Sequence, residues 1–164
     1  MKQKIQIQIK NHGNIDVELD SGVAPVTVEN FVTLVSNGFY DGLTFHRIID
    51  GFMMQGGDPD GDGTGGSENK ITGEFNANGV NNPLSHTRGA ISMARSQDMN
   101  SARSQFFIVH EDSTFLDKQY AGFGYVTSGM EIVDQICSST PVSDSNGTVK
   151  KEDQPIIDKI VVLN

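Results

Sequence analysis

Tryptophan is absent from this 164-residue chain, cysteine occurs once, and there are only 5 prolines and 3 tyrosines. One cysteine cannot close an internal disulfide, and Cys137 lies in an apolar helical pattern, where it reads as a small core residue. Positive charge is also scarce: 12 Lys and Arg stand against 21 Asp and Glu, a formal net charge of −9. Such a balance repels phosphate backbones and anionic membranes, so neither nucleic acid nor a membrane is an expected partner. No long apolar run occurs. The sequence alternates Ile with Gln from Ile5 onward, so neither a signal peptide nor a membrane span is expected and the cytoplasm is the expected compartment. The four histidines, at 12, 46, 86 and 110, are too scattered for a local metal motif, and there is no G-x-S-x-G elbow. Nucleophile-based hydrolysis is therefore disfavoured.

Glycine, by contrast, is abundant, at 18 residues, which points to a turn-rich fold, and the length suits one domain over residues 1–164. Ile5, Ile7 and Ile9 alternate with polar residues, as do Ile15, Val17 and Leu19, with Asn11-His12-Gly13-Asn14 between them. Two period-two runs around a Gly/Asn turn predict a β-hairpin with one buried face. Val28, Phe31, Val32 and Val35 have helical spacing after Pro25, with Glu29 near the positive end of the dipole and Gly38 past the last turn. A second helix is expected from about Ser128, with a Ser128/Glu131 capping box, ending before Pro141. Further strands are expected at Thr44–Ile49, Ile71–Phe75, Gly89–Ala94, Gln105–Val109, Gly122–Val126 and Ile156–Leu163. About eight strands and two helices imply a sandwich or a barrel, and the pattern alone does not choose.

Two motifs match known ligand sites in part. Asp58-Pro59-Asp60-Gly61-Asp62-Gly63 has the acidic spacing of a calcium loop, yet position 12 is Asn69 and Glu68 falls one place short. Gly61-x-Gly63-x-x-Gly66 spells a dinucleotide fingerprint, but two aspartates sit where a pyrophosphate would approach. More telling is the run from Phe45 to Asp58, in which a regular strand would place Arg47 on one face with Phe45 and Ile49. An arginine amid apolar side chains is either a snorkelling structural cation or a hydrogen-bond fork beside an apolar pocket.

That run, Phe45-His46-Arg47-Ile48-Ile49-Asp50-Gly51-Phe52-Met53-Met54-Gln55-Gly56-Gly57-Asp58, resembles the signature of the cyclophilins. Gly63-Thr64-Gly65-Gly66, Gly89–Ala94, Ser104–Ile108, Phe115-Leu116-Asp117 and Phe123-Gly124-Tyr125-Val126 continue the resemblance in order, so it spans nearly the whole chain. The family is one of peptidyl-prolyl cis–trans isomerases. The resemblance implies an all-β fold: an eight-stranded closed antiparallel β-barrel capped by two α-helices, with the site on its outer surface. It makes Arg47 the catalytic arginine, with Gln55 and Gln105 orienting it and the peptide. Phe52, Met53, Phe107 and Leu116 become the proline pocket, and Ala94, Arg95 and Ser96 the lining of the groove. Phe115 and Tyr120 fall on the rim, where animal members carry Trp and His, and Arg95 replaces a common Asn. The implied partners are proline-containing peptides and unfolded segments, with weak cyclosporin binding because Phe115 lacks the indole donor. No cofactor and no metal are implied, and nothing suggests an obligate partner, so a monomer is expected. A proline-peptide binding module with incidental turnover is the competing reading.

Overall fold

The computed structural model describes residues 2–163. Strands β1 (Lys2–Ile9) and β2 (Gly13–Asp20) form the expected hairpin, with Ile5 opposite Val17 and Ile7 opposite Ile15, all fully buried. Helix α1 (Pro25–Ser36) follows, then β3 (Phe45–Ile49), β4 (Met53–Gly56), β5 (Ala90–Met93), β6 (Phe106–Val109) and β7 (Gly122–Ser128). Helix α2 (Met130–Ser139) and β8 (Ile157–Leu163) complete the chain. No described helix is long and apolar enough to cross a membrane.

All pairings are antiparallel, in the order β3-β4-β6-β5-β7-β2-β1-β8. The expectation of a closed barrel is slightly too strong. The end strands β3 and β8 share no ladder; they meet at the single bridge Thr44–Ile156 and through flanking bonds such as Phe45 N–H to Pro155 O, 3.0 Å. The outer edge of β3 is instead covered by residues 147–149. Ile48 N–H donates to Gly147 O at 2.8 Å and Val149 N–H to His46 O at 3.0 Å. An unpaired strand edge is thereby masked.

Helix α1 leaves from the Asp20 end of β2, whereas α2 starts against Asn14 at the other end, so a helix stands at each end of the sheet. Phe31 of α1 and Val133, Ile136 and Cys137 of α2 enter the main core. Each such buried aliphatic or aromatic side chain contributes about 1.5–3 kcal/mol. Burial also pushes the Cys137 thiol up to about 12, as expected of an inert core cysteine.

Local signals failed at three places. Ile71–Phe75 is not a strand and makes only the bridge Ile71–Ala102, while β4 supplies the eighth strand. The Ser128/Glu131 capping box does not form: α2 begins after Gly129, whose left-handed φ of 102° turns the chain. At α1, Glu29 lies beyond the first turn, and the cap comes from Glu74. That buried carboxylate accepts the Val26 and Thr27 N–H groups at 3.2 and 2.7 Å and the Thr27 hydroxyl at 2.6 Å. A partner 47 residues away has thus replaced a local one.

Candidate active site

The apolar floor follows from strand alternation. In β6, Phe106 and Ile108 face the main core, while Phe107 and Val109 join a second cluster with Met53 and Leu116. In β4, Met54 points inward and Met53 outward. Successive side chains on a strand take opposite faces, so an apolar run such as Phe106–Val109 furnishes two cores at once. Phe52, Ala94 and Tyr120 border the outer cluster.

Arg47 reaches the rim of this cluster through an irregularity. The β3–β4 register runs Phe45 to Gly56 and then Arg47 to Gln55, so one extra residue bulges between them. Hence Arg47 does not share a face with Phe45, contrary to the regular-strand expectation: Phe45 is fully buried in the main core, and Arg47 stands outside it, half-buried. Bulges re-aim a side chain in this way.

The guanidinium is fixed at three points. Nε donates to Asn146 O at 2.8 Å, Nη2 to Asn146 Oδ1 at 3.2 Å and Nη1 to Gln55 Oε1 at 3.3 Å. Gln55 Nε2 donates in turn to Gln105 Oε1 at 3.0 Å, and Gln105 Nε2 to Gly65 O at 2.8 Å. Of five guanidinium N–H groups, two stay uncommitted, one on each terminal nitrogen. No described carboxylate forms an ion pair with Arg47.

Between this cation and the apolar floor lies a cavity of about 110 Å³, lined by Arg47, Phe52, Met53, Gln55, Ala94, Arg95, Phe107, Leu116 and Tyr120. Behind it, His86 stacks on Phe107, with ring centroids 6.1 Å apart, and its nitrogens meet Asp117 Oδ1 and Ser92 Oγ, each at 2.8 Å. Burial holds the His86 pKa below its ordinary 6.5 despite the Asp117 carboxylate.

A family model, the cyclophilin type peptidyl-prolyl cis–trans isomerases, matches residues 4–162. Peptidyl-prolyl cis–trans isomerase A of Dickeya dadantii is 47% identical over 129 residues, 76% of this chain and 66% of that protein. Isomerase B of Bacillus subtilis is 44% identical over 144 residues, covering 88% of this chain and 92% of that one. A Cryptosporidium parvum cyclophilin type isomerase, solved in the presence of the dipeptide Ala-Pro, superposes with a TM-score of 0.86 at 32% identity, covering 99% of both chains. This chain belongs to the cyclophilins.

Of the residues that the resemblance singles out in this cyclophilin, nine line the cavity just described. Ser96 and Gln105 line an adjoining cavity instead, and Phe115 stands at the rim, 71% exposed, its ring 5.6 Å from that of Phe52. Arg95 is sandwiched between the Phe75 and Tyr120 rings at 4.8 and 4.9 Å, and all its hydrogen bonds go to backbone carbonyls. Asn146 was missed. Its Asn-Gly dipeptide marks a turn, but no local pattern shows that the turn docks on β3. The Asp58, Asp60 and Asp62 carboxylates do cluster, yet Asp58 spends its oxygens on the N–H groups of Asp60, Asp62 and Gly63, which closes the loop.

Proposed function

We propose that the cavity seats the ring of a substrate proline and that Arg47 is the catalytic group that speeds rotation about the preceding peptide bond. The family is one of X–Pro isomerases, and the observation that carries this assignment is the arginine itself. It is tethered, free of any ion pair with a described residue and still has two N–H groups to offer, beside an apolar cavity.

An X–Pro bond turns slowly because C–N resonance sets a barrier of about 18–20 kcal/mol. Catalysis requires the twisted amide to be held more tightly than either planar form. On twisting, the prolyl nitrogen becomes pyramidal and regains a lone pair. Arg47 donates to that lone pair, a charge-assisted bond with no equivalent in the planar states. Its partners hold the fork in place beforehand, so little reorganisation is left for the reaction step.

Met53, Phe107 and Leu116 grip the ring while the acyl side rotates, and with Phe52 they displace water, which strengthens the arginine contact. A 10⁵-fold acceleration needs roughly 7 kcal/mol, and one oxyanion-type donor supplies about 3–4 kcal/mol. Ring anchoring must supply a similar share.

Gln55 and Gln105 position the fork and the incoming peptide. Residues 1–164 act as one isomerase domain on flexible or unfolded proline-containing segments, and Phe115 leaves cyclosporin binding weak. Arg47→Ala tests the assignment by NMR exchange on a short Ala-Pro peptide. Turnover should drop about 10²–10³-fold with peptide affinity nearly intact. Turnover near the wild-type level would refute the mechanism. A wild-type protein that bound the peptide without accelerating exchange would favour a pure binding module.

A further inference from the structure

The overall charge of the chain and the charge of its groove have opposite signs. Three cavities adjoin. The proline cavity shares Gln55, Ala94 and Arg95 with a second of about 170 Å³, which also takes in Arg103, and shares Arg47 and Gln55 with a third that takes in Lys150 and Lys151. Together they are lined by five of the chain's 12 Lys and Arg and by one of its 21 Asp and Glu, Asp62. None of the five cations forms an ion pair with a described carboxylate, although Arg88, the one arginine away from the groove, pairs with both Asp134 and Glu111.

The second cavity is the more specific element. Arg95 is a fixed cation there, its fork spent on neutral carbonyls and its plane held between two rings. Arg103, half-buried, makes no side-chain hydrogen bond with a described group, and its Nε is buried without a partner. Asp58 and Asp60 lie near Gly65 on the cavity wall but do not line it, and the Asp58 oxygens are taken by loop amides. Because no described carboxylate pairs with Arg103, a ligand carboxylate in the cavity would meet a cation whose charge is not already compensated.

We infer that this enzyme selects acidic X–Pro segments, seating an Asp or Glu side chain of the substrate between Arg95 and Arg103. The inference rests on the isomerase reading of the groove and names the substrate class within it. The two cavities share Gln55, Ala94 and Arg95, so an extended peptide with its proline in the first cavity that passes over Ala94 brings a nearby side chain into the second. Focusing by a cleft lined with one sign of charge adds to the capture rate.

Peptides with one X–Pro bond, carrying Glu, Gln or Lys in turn at each of three positions before and after the proline, test this by NMR exchange. At low salt, Glu should exceed Gln in kcat/KM by about three- to tenfold at one position, with Lys below both. The advantage should shrink at high salt. Arg103→Gln should bring the Glu/Gln ratio close to 1, and Arg103→Lys should keep part of it. Because the readout is a ratio within one variant, a general loss of activity does not mimic the effect. A wild-type ratio near 1 at every position overturns the inference, as does a ratio that survives in both Arg103→Gln and Arg95→Gln. Failure to turn over any peptide would overturn the isomerase reading itself.

Discussion

Replacing Gly147 by alanine disturbs Arg47 without altering it. Gly147 has φ +82°, and a Cβ there would stand 2.4 Å from Ile48 O and 2.7 Å from Ile49 Cγ1. A left-handed conformation costs an L-residue about 1–2 kcal/mol, and the overlap with backbone cannot be relieved by a rotamer. The strap over β3 must therefore lift, stretching the Ile48 N–H to Gly147 O bond of 2.8 Å and carrying Asn146 with it. Asn146 supplies two of the three tethers of the guanidinium, at 2.8 and 3.2 Å. At roughly 0.5–1.5 kcal/mol for each hydrogen bond, losing both should lower kcat by about 10–10²-fold. Asn146→Ala keeps the backbone carbonyl and loses only Oδ1, so its kcat should fall only about 2–10-fold. In both variants KM should stay near the wild-type value, because none of residues 146–149 lines the cavity beside Arg47. NMR exchange at saturating and limiting peptide separates the two constants, and a thermal melt verifies folding. A folded Gly147→Ala protein with wild-type kcat would show that the tethers do not position the arginine.

Phe115→Trp adds an indole N–H donor to a rim position now 71% exposed; calorimetry should show cyclosporin binding about 2–10-fold tighter, and unchanged affinity would refute the donor argument. Glu74→Ala strips the cap of α1 and leaves its buried donors unmet; urea unfolding should report a loss of about 2–3 kcal/mol with isomerase activity retained. Burial lowers the pKa values of both His46 and His86 from 6.5. The unfolded chain therefore takes up protons before the folded one as pH falls below 6.5, so stability should be full above that pH and decline beneath it. Melting temperatures measured from pH 7.5 to 5 test this, and His86→Gln should flatten the slope.

Much of the architecture was legible in the sequence because it rests on short-range rules. The alternation of Ile5, Ile7 and Ile9 with glutamines specifies a half-buried strand whatever it later pairs with, and the helical spacing from Val28 to Val35 does the same for α1. Candidate site residues were named by resemblance to a family signature, and what the structure adds is that nine of them line one cavity. What escaped was geometry set by distant partners. Nothing near Arg47 announces the bulge that turns it away from Phe45, because a bulge is a property of two paired strands. Met53–Gly56 follows a glycine turn closely and reads as part of a loop until β6 pairs with it. The Ser128/Glu131 box was a local pattern overruled by Gly129, and Glu74 capped α1 from 47 residues away.

The sequence by itself determined which residues are apolar, which segments are periodic and which side chains carry charge, because these are properties of each residue and its near neighbours. Only the tertiary structure decided that Asn146 holds Arg47 and that five of the few cations of an acidic chain share one groove. Both depend on long loops closing across the sheet, and the contacts that fix those loops lie far apart in sequence.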